Sequence, residues 1–261
     1  MHRPKAVVFD LDGTVYLGDQ PLPGAVAAIG RLMAAGTAVF FLSNNPTKTP
    51  SDYVRKLTHM GIAVRQEQVL TSGLILTEWL QAQQPVPTVF PIAEAAFCAM
   101  LAEAGIPVST DPARIDYVIA SFDRTFAYPK LQTAFDAVRA GARLIATNPD
   151  KYCPVPGGGE PDAAAIIAAI EACADTSLAW CAGKPSPLAA QAVARRAGCA
   201  LADCLMVGDR LETDIGMGAT GMQTAVVLTG ATTPALLAAW AGHPPTYVAA
   251  DVAEVVAMIV D

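Results

Sequence analysis

The first apolar run, Ala6 to Phe9, is short and partly β-branched, and it ends abruptly in polar residues, which predicts a buried strand over residues 5–9. From Pro23 to Ala35 the apolar positions Val26, Ile29, Leu32 and Met33 recur at helical spacing, and Gly36 closes the stretch. A second strand is predicted over 38–42, ending in Ser43-Asn44-Asn45, and a second helix over 51–60, stopped by Gly61. Strand, helix, strand, helix is the order of a parallel sheet with covering helices.

The same rhythm returns late in the chain. A helix over 187–197 is closed by Gly198, and a strand over 204–207 runs into Gly208-Asp209. A further strand over 223–228 runs into Thr229-Gly230, and a short strand at 247–249 precedes a terminal helix over 252–260. Between the two blocks lies a separate alternation. Its strands are 88–92, 117–120, 144–146 and 178–181, and its helices 93–104, 130–140 and 163–174. Pro85 and Pro87 mark the entry, and Lys184-Pro185 follows the exit. The reading is an α/β domain of residues 1–80 and 182–261 into which a second α/β domain, residues 81–181, is inserted. No repeat of solenoid length and no low-complexity tail interrupts it.

Composition narrows the choice of function. With 53% hydrophobic residues in 261, the chain can bury a large core. Net charge is −7 and no cluster of lysine and arginine tracks a phosphate backbone, which argues against nucleic acid as a partner. An anionic small molecule fits if a bound cation inverts the charge locally. No apolar run reads as a membrane span, and the first strand begins too early to leave room for a signal peptide. Six cysteines without a C-x-x-C pair, and three histidines in all, argue against a thiolate or imidazole metal site. A reduced, cytoplasmic, soluble protein is expected.

The chemistry is concentrated where strands end. In an open parallel sheet, ligands sit beyond the carboxyl ends of the strands. There the sequence places Asp10 and Asp12, then Ser43 and Asn44, then Asp209 and Asp214. Carboxylates brought this close repel, and burial makes each charge costly, so they call for a counter-charge. A hard divalent cation suits them, and Mg²⁺ takes a few carboxylates together with substrate oxygens and water. A metal beside a carboxylate nucleophile fits phosphoryl transfer, in which a covalent acyl phosphate splits one hard displacement into two. The transferred group also needs donors and a cation, for which Ser43, Asn44 and Lys184 are placed.

Four elements stand in order: DLDGTVY at 10–16, FLSNNPTKT at 41–49, GKP at 183–185 and GDRLETDI at 208–215. Between the second and third lie SFDRTFAYPKL at 121–131 and TNPD at 147–150. In these motifs the chain resembles, over essentially its whole length, the haloacid dehalogenase superfamily of phosphatases, in its NagD-like, nitrophenylphosphatase-type branch. The resemblance implies a Rossmann-like core with a large α/β cap and a Mg²⁺-dependent phosphatase acting on a small phosphorylated metabolite. By it, Asp10 is the nucleophile and Asp12 the general acid and base. Asp10, the backbone carbonyl of Asp12, and Asp209 hold Mg²⁺, with Asp214 acting directly or through water. Ser43 and the amide of Asn44 bind phosphoryl oxygens, and Lys184 neutralises charge. Asp12 favours a phosphatase over a dehalogenase, which lacks an acid there. A homodimer is an arrangement known among similar proteins. One departure concerns the cap, where GGGEPDAAAI puts Asp162 and Ala164 at positions where the branch often has glycine.

Other readings stand beside these. A phosphotransferase or phosphomutase would use the same residues, and a non-catalytic phosphometabolite sensor would keep the fold. Asp209 and Asp214 could cap and charge a helix start, Ser43 and Asn44 could cap the next helix, and Lys184 could lie on the surface. Gly216 to Gly221 spells G-x-G-x-x-G but follows no strand directly, so dinucleotide binding is not expected. In the inserted domain, Asp123, Arg124 and Asn148 sit at strand ends, where they either touch the leaving group or cap loops. His59 and Trp79, Trp180 and Trp240 are read as packing residues.

Overall fold

The computed structural model describes residues 3–155 and 157–260. It divides into two compact units: residues 1–43, 50–70 and 184–261 form the first, and residues 44–49 and 71–183 the second.

The first unit is built on a six-stranded sheet in the order Tyr247–Ala249, Gln223–Val227, Cys204–Gly208, Ala6–Phe9, Ala38–Ser43 and Val69–Thr71. Ala6–Phe9 lies inside this sheet and all four of its residues are fully buried. It pairs in parallel with both neighbours, Phe9 lying opposite Val207 on one side and Phe41 on the other. This register brings three chain segments that are distant in sequence to the same sheet edge: the residues after Phe9, after Phe41 and after Val207. The helices Ala25–Ala34 and Val252–Val260 pack on the sheet through Ile29, Leu32, Val255 and Val256. The first of these helices starts later than its hydrophobic pattern suggests, because Gly24 enters it in the left-handed region at φ +77. The helix Pro187–Ala197 is bounded as its sequence indicates. Ser186 Oγ accepts the amide of Ala189 at 3.2 Å, and Gly198 ends it at φ +63.

The second unit has its own four-stranded parallel sheet, in the order Trp180–Cys181, Arg143–Ala146, Tyr117–Ala120 and Val89–Ile92. Its core joins Val118, Ala120, Leu144 and Ala146 to Ile166 and Ile170 of the helix Ala163–Ala174. Trp79 and Trp180 pack edge to face, with centroids 4.5 Å apart. Two elements go beyond the sequence reading. Thr71 caps a helix, Ser72–Gln81, by accepting the amide of Leu74 at 3.1 Å. An antiparallel hairpin joins Tyr152–Val155 to Gly158–Pro161.

By their contacts the two units divide between Ser43 and Asn44, Thr49 and Pro50, Leu70 and Thr71, and Gly183 and Lys184. The helix Ser72–Gln81 packs on the helix Ala95–Glu103, where a Cβ at Gly73 would meet the Phe97 ring at 3.0 Å. The segment 44–49 joins the same unit: Ser72 Oγ donates to the Asn44 carbonyl at 2.7 Å, and Asn44 Nδ2 to Asp150 at 2.8 Å. Among the described residues, no helix is long and apolar enough to cross a membrane.

Candidate active site

The turn after the central strand is held by its backbone. The Leu11 carbonyl accepts the amides of Thr14, Val15 and Tyr16, and Gly13 donates to the Tyr16 carbonyl at 2.8 Å. Gly13 stands at φ +90, and a Cβ there would lie 2.7 Å from Asp209 Oδ2. Glycine is therefore required twice, by conformation and by the approach of a carboxylate from the neighbouring strand end.

Asp10, Asp209 and Asp214 each present a carboxylate oxygen within 4.8 Å of the others, with Asp209 and Asp214 buried. Lys184 enters this group from the start of the returning chain. Its Nζ lies 2.5 Å from Asp10 Oδ1 and 2.7 Å from Asp214 Oδ1, and only 2% of its side chain is exposed. The alternative of a surface Lys184 does not hold: its side chain is buried and bonded to two carboxylates. The Lys184-Pro185 peptide is cis.

Each aspartate has its own support. Asp209 accepts the Ala231 amide at 2.6 Å through Oδ2 and the Thr14 hydroxyl at 3.4 Å through Oδ1. Its carbonyl accepts the Thr232 amide and hydroxyl. Asp214 accepts the Arg210 amide at 3.0 Å. It begins the short 3₁₀ helix Ile215–Thr220 without a side-chain bond to it, so the capping reading of Asp214 does not hold. Gly208 makes room for it, since a Cβ there would collide with its carboxyl. The residues of the G-x-G-x-x-G string lie in and just after that 3₁₀ helix, before the strand Gln223–Val227, and form no phosphate loop after a strand.

Electrostatics follow from this crowding. Burial, and then Asp10, raise the Asp209 carboxyl above the ordinary range. Burial raises Asp214 as well, with Lys184 opposing and Asp10 and Asp209 adding. Burial alone would lower the Lys184 ammonium, but Asp10 and Asp214 outweigh it and hold the pKa above normal. One ammonium facing three carboxyl groups leaves the cluster with an excess of acidic over basic groups. Hard oxygen donors with that excess fit a divalent cation such as Mg²⁺.

Ser43 is buried, and its Oγ shares a hydrogen bond with Tyr53 Oη at 3.0 Å. Asp12 accepts the Tyr16 hydroxyl at 3.3 Å, and its side chain stands outside the three-carboxylate group. Asn44 belongs to the second unit, where its amide group is bonded to Asp150.

The three candidates of the inserted region are all engaged within their unit. Asp123 accepts Lys130 Nζ at 2.5 Å and the amide and hydroxyl of Thr125. Arg124 is bonded to Glu94 and Glu160 and lies over the Phe122 ring. Asn148 is fully buried and donates to Asp150 and Asp162 at 3.0 Å each. Asp162 also accepts the Ala163 amide, so it caps the helix Ala163–Ala174, a role that glycine at this position could not fill. Sequence reasoning passed over Tyr16, Tyr53 and the segment Thr229–Thr232. The polar run after a core strand was the only signal for that last segment.

Comparison with known proteins agrees with this geometry. Residues 7–107 match the family described as haloacid dehalogenase-like hydrolase, and residues 181–255 a related HAD hydrolase-like family. The sugar-phosphatase AraL of Bacillus subtilis is 34% identical over 87% of this chain and 84% of its own length. An acid sugar phosphatase of Staphylococcus aureus is 34% identical over 98% of both. A 4-nitrophenylphosphatase from Thermotoga maritima superposes with a TM-score of 0.92 at 33% identity, covering 98% of this chain and 97% of its own. The NagD structure from Escherichia coli K-12 gives 0.87 at 27% identity, covering 97% and 98%. The chain belongs to the haloacid dehalogenase-like hydrolases, among their NagD-like phosphatases.

Proposed function

We propose that the protein hydrolyses the phosphomonoester of a small metabolite, of the sugar phosphate class, through an aspartyl phosphate on Asp10. The observation that carries this reading is the buried Lys184 bridging Asp10 and Asp214 beside Asp209. Sugar phosphatases among the relatives support the substrate class.

In this reading an Asp10 carboxylate oxygen attacks phosphorus, and the bond from phosphorus to the leaving oxygen breaks. The electron pair stays on that oxygen, which takes a proton from Asp12. Water then attacks the aspartyl phosphate and gives its proton to Asp12, which releases inorganic phosphate and restores Asp10. Lys184 holds Asp10 in place and offsets charge on the phosphoryl group, and Ser43 and the Asn44 amide bind its oxygens. Asp10, the Asp12 carbonyl, Asp209 and Asp214 would hold Mg²⁺, whose charge stabilises the phosphoryl oxygens when it is bound. In this reading the second unit selects the leaving group, and the protein works in the reducing cytoplasm.

The test is phosphate release from a panel of sugar phosphates and p-nitrophenyl phosphate. Release with Mg²⁺ that a chelator abolishes, and that Asp10→Asn removes without unfolding the protein, is expected. No release from any member of the panel would overturn the reading.

A further inference from the structure

Two buried tyrosines stand on side chains that this chemistry uses. Tyr16 is fully buried and its hydroxyl donates to Asp12 Oδ2 at 3.3 Å. Tyr53, 1% exposed, shares a hydrogen bond with Ser43. The backbone turn from Leu11 to Tyr16 folds Tyr16 back onto Asp12, with a bridge between these two residues. The ring is fixed from its other side. Helix Pro50–His59 carries Tyr53 and Lys56 three residues apart, and Lys56 Nζ lies 3.8 Å from the centre of the Tyr16 ring. Lys56 also pairs with Asp19 at 3.6 Å, on the short hairpin that Tyr16 opens. Burial, followed by the nearby carboxylates, holds the Tyr16 phenol far above its usual pKa, so it stays a neutral donor.

We propose that Tyr16 is a positioning residue for the proton transfer to the leaving group. By donating to Oδ2 it sets the rotation of the Asp12 carboxyl, and the clamp of Lys56 on its ring keeps that donor in place. The inference rests on Asp12 being the general acid. As Asp10 bonds to phosphorus, the departing oxygen keeps the electron pair of the broken bond and takes the Asp12 proton. A carboxyl turned out of line delivers that proton poorly. The penalty grows with the leaving oxygen's need for it. A sugar alkoxide needs the proton, whereas p-nitrophenolate spreads its charge over the ring and leaves without it.

The experiment compares kcat/KM of Tyr16→Phe, Asp12→Asn and Tyr53→Phe on a sugar phosphate and on p-nitrophenyl phosphate. This ratio covers only the steps up to aspartyl phosphate formation, so the later work of Asp12 on water does not enter. Tyr16→Phe keeps the ring and loses only the hydroxyl. It is expected to lose about 10–100-fold on the sugar phosphate and less than about 3-fold on the aryl substrate, a part of the roughly 10²–10⁴ that general acid catalysis supplies. Asp12→Asn should show the same selectivity, with a larger loss. Tyr53→Phe removes an equally buried hydroxyl from Ser43, which serves the phosphoryl group common to both substrates, and should lower both alike. Equal losses on the two substrates, or none, in Tyr16→Phe would overturn the positioning role while a selective Asp12→Asn leaves the phosphatase reading intact. An Asp12→Asn that treats both substrates alike would remove the acid assignment, and the positioning role with it.

Discussion

Replacing Lys184 by methionine tests the charge balance of the site directly. The side chain is 2% exposed and lies between two carboxylates at 2.5 and 2.7 Å, with Asp209 beside them. Methionine keeps most of the volume and removes the ammonium, leaving the carboxylates opposed to one another. Breaking a buried pair by removing one partner costs about 3–5 kcal/mol, because the other charge stays buried without compensation. For a chain of this size each kcal/mol moves the unfolding midpoint by about 2–4 °C, so a fall of about 6–20 °C is expected without metal. Cation binding should return part of it, about 2.7 kcal/mol when free Mg²⁺ is 100 times its Kd. The deficit should also depend on pH. Asp214 is already raised above its unfolded value of 3.8, so the folded state holds more protons and loses stability as pH rises through that window. Without Lys184, which opposes that rise, the window widens, and the deficit should be larger at neutral than at mildly acidic pH. Thermal and urea melts of both proteins, in chelator and in Mg²⁺ and at two pH values, measure all three effects. A metal-free Lys184→Met within about 1 kcal/mol of the parent would refute the reasoning, since one uncompensated buried carboxylate must cost more than that.

Other expectations follow from single contacts. Gly13→Ala places a Cβ at 2.7 Å from Asp209 Oδ2 in backbone that alanine adopts with strain, so Mg²⁺ affinity measured by calorimetry should fall at least 10-fold. Asp162→Ala removes the cap of the helix Ala163–Ala174 and an acceptor of Asn148, and should cost the second unit about 0.5–2 kcal/mol in a chemical melt. Asp123 is held below 3.8: burial opposes its ionisation, but Lys130 and Thr125 outweigh it. Its contribution is therefore complete above pH 3.8 and is lost as pH falls below it, and Lys130→Met should flatten the acid limb of the second unit's stability curve.

Much of the first unit could be read before any coordinates, because its central strands are short apolar runs that break sharply into acids. Asp10, Asp209 and Asp214 were legible as partners on that ground alone. The bonds around them were not. That Lys184 would meet both Asp10 and Asp214 depends on a chain reversal more than a hundred residues long. Tyr16 and Tyr53 carry no polar pattern that separates a core phenol from one bonded to a polar side chain. The helix Ser72–Gln81 escaped for another reason. Ser72, Gly73, Ile75, Leu76, Thr77 and Leu80 are all buried, so no polar stripe marks its period. The hairpin at 152–161 is rich in glycine and proline and mostly exposed, and shows neither alternation nor an apolar run.

The pairing of Ala6–Phe9 also governs when the molecule can be completed during synthesis. One neighbour, Ala38–Ser43, follows closely, but the other, Cys204–Gly208, is separated from it by about three quarters of the chain. At a translation rate of about 5–20 residues per second, the strand waits roughly 10–40 s with one edge open. Every residue of the second unit, 44–49 and 71–183, is made within that interval. The inserted unit therefore has time to close around its own core on the ribosome, while the strand that leads into Asp10 remains an unfinished edge. Nascent chains that have emerged from the ribosome as far as about residue 200 should resist protease in the second unit and be cut in the first, with protection of the first arriving only once residues 204–227 have emerged.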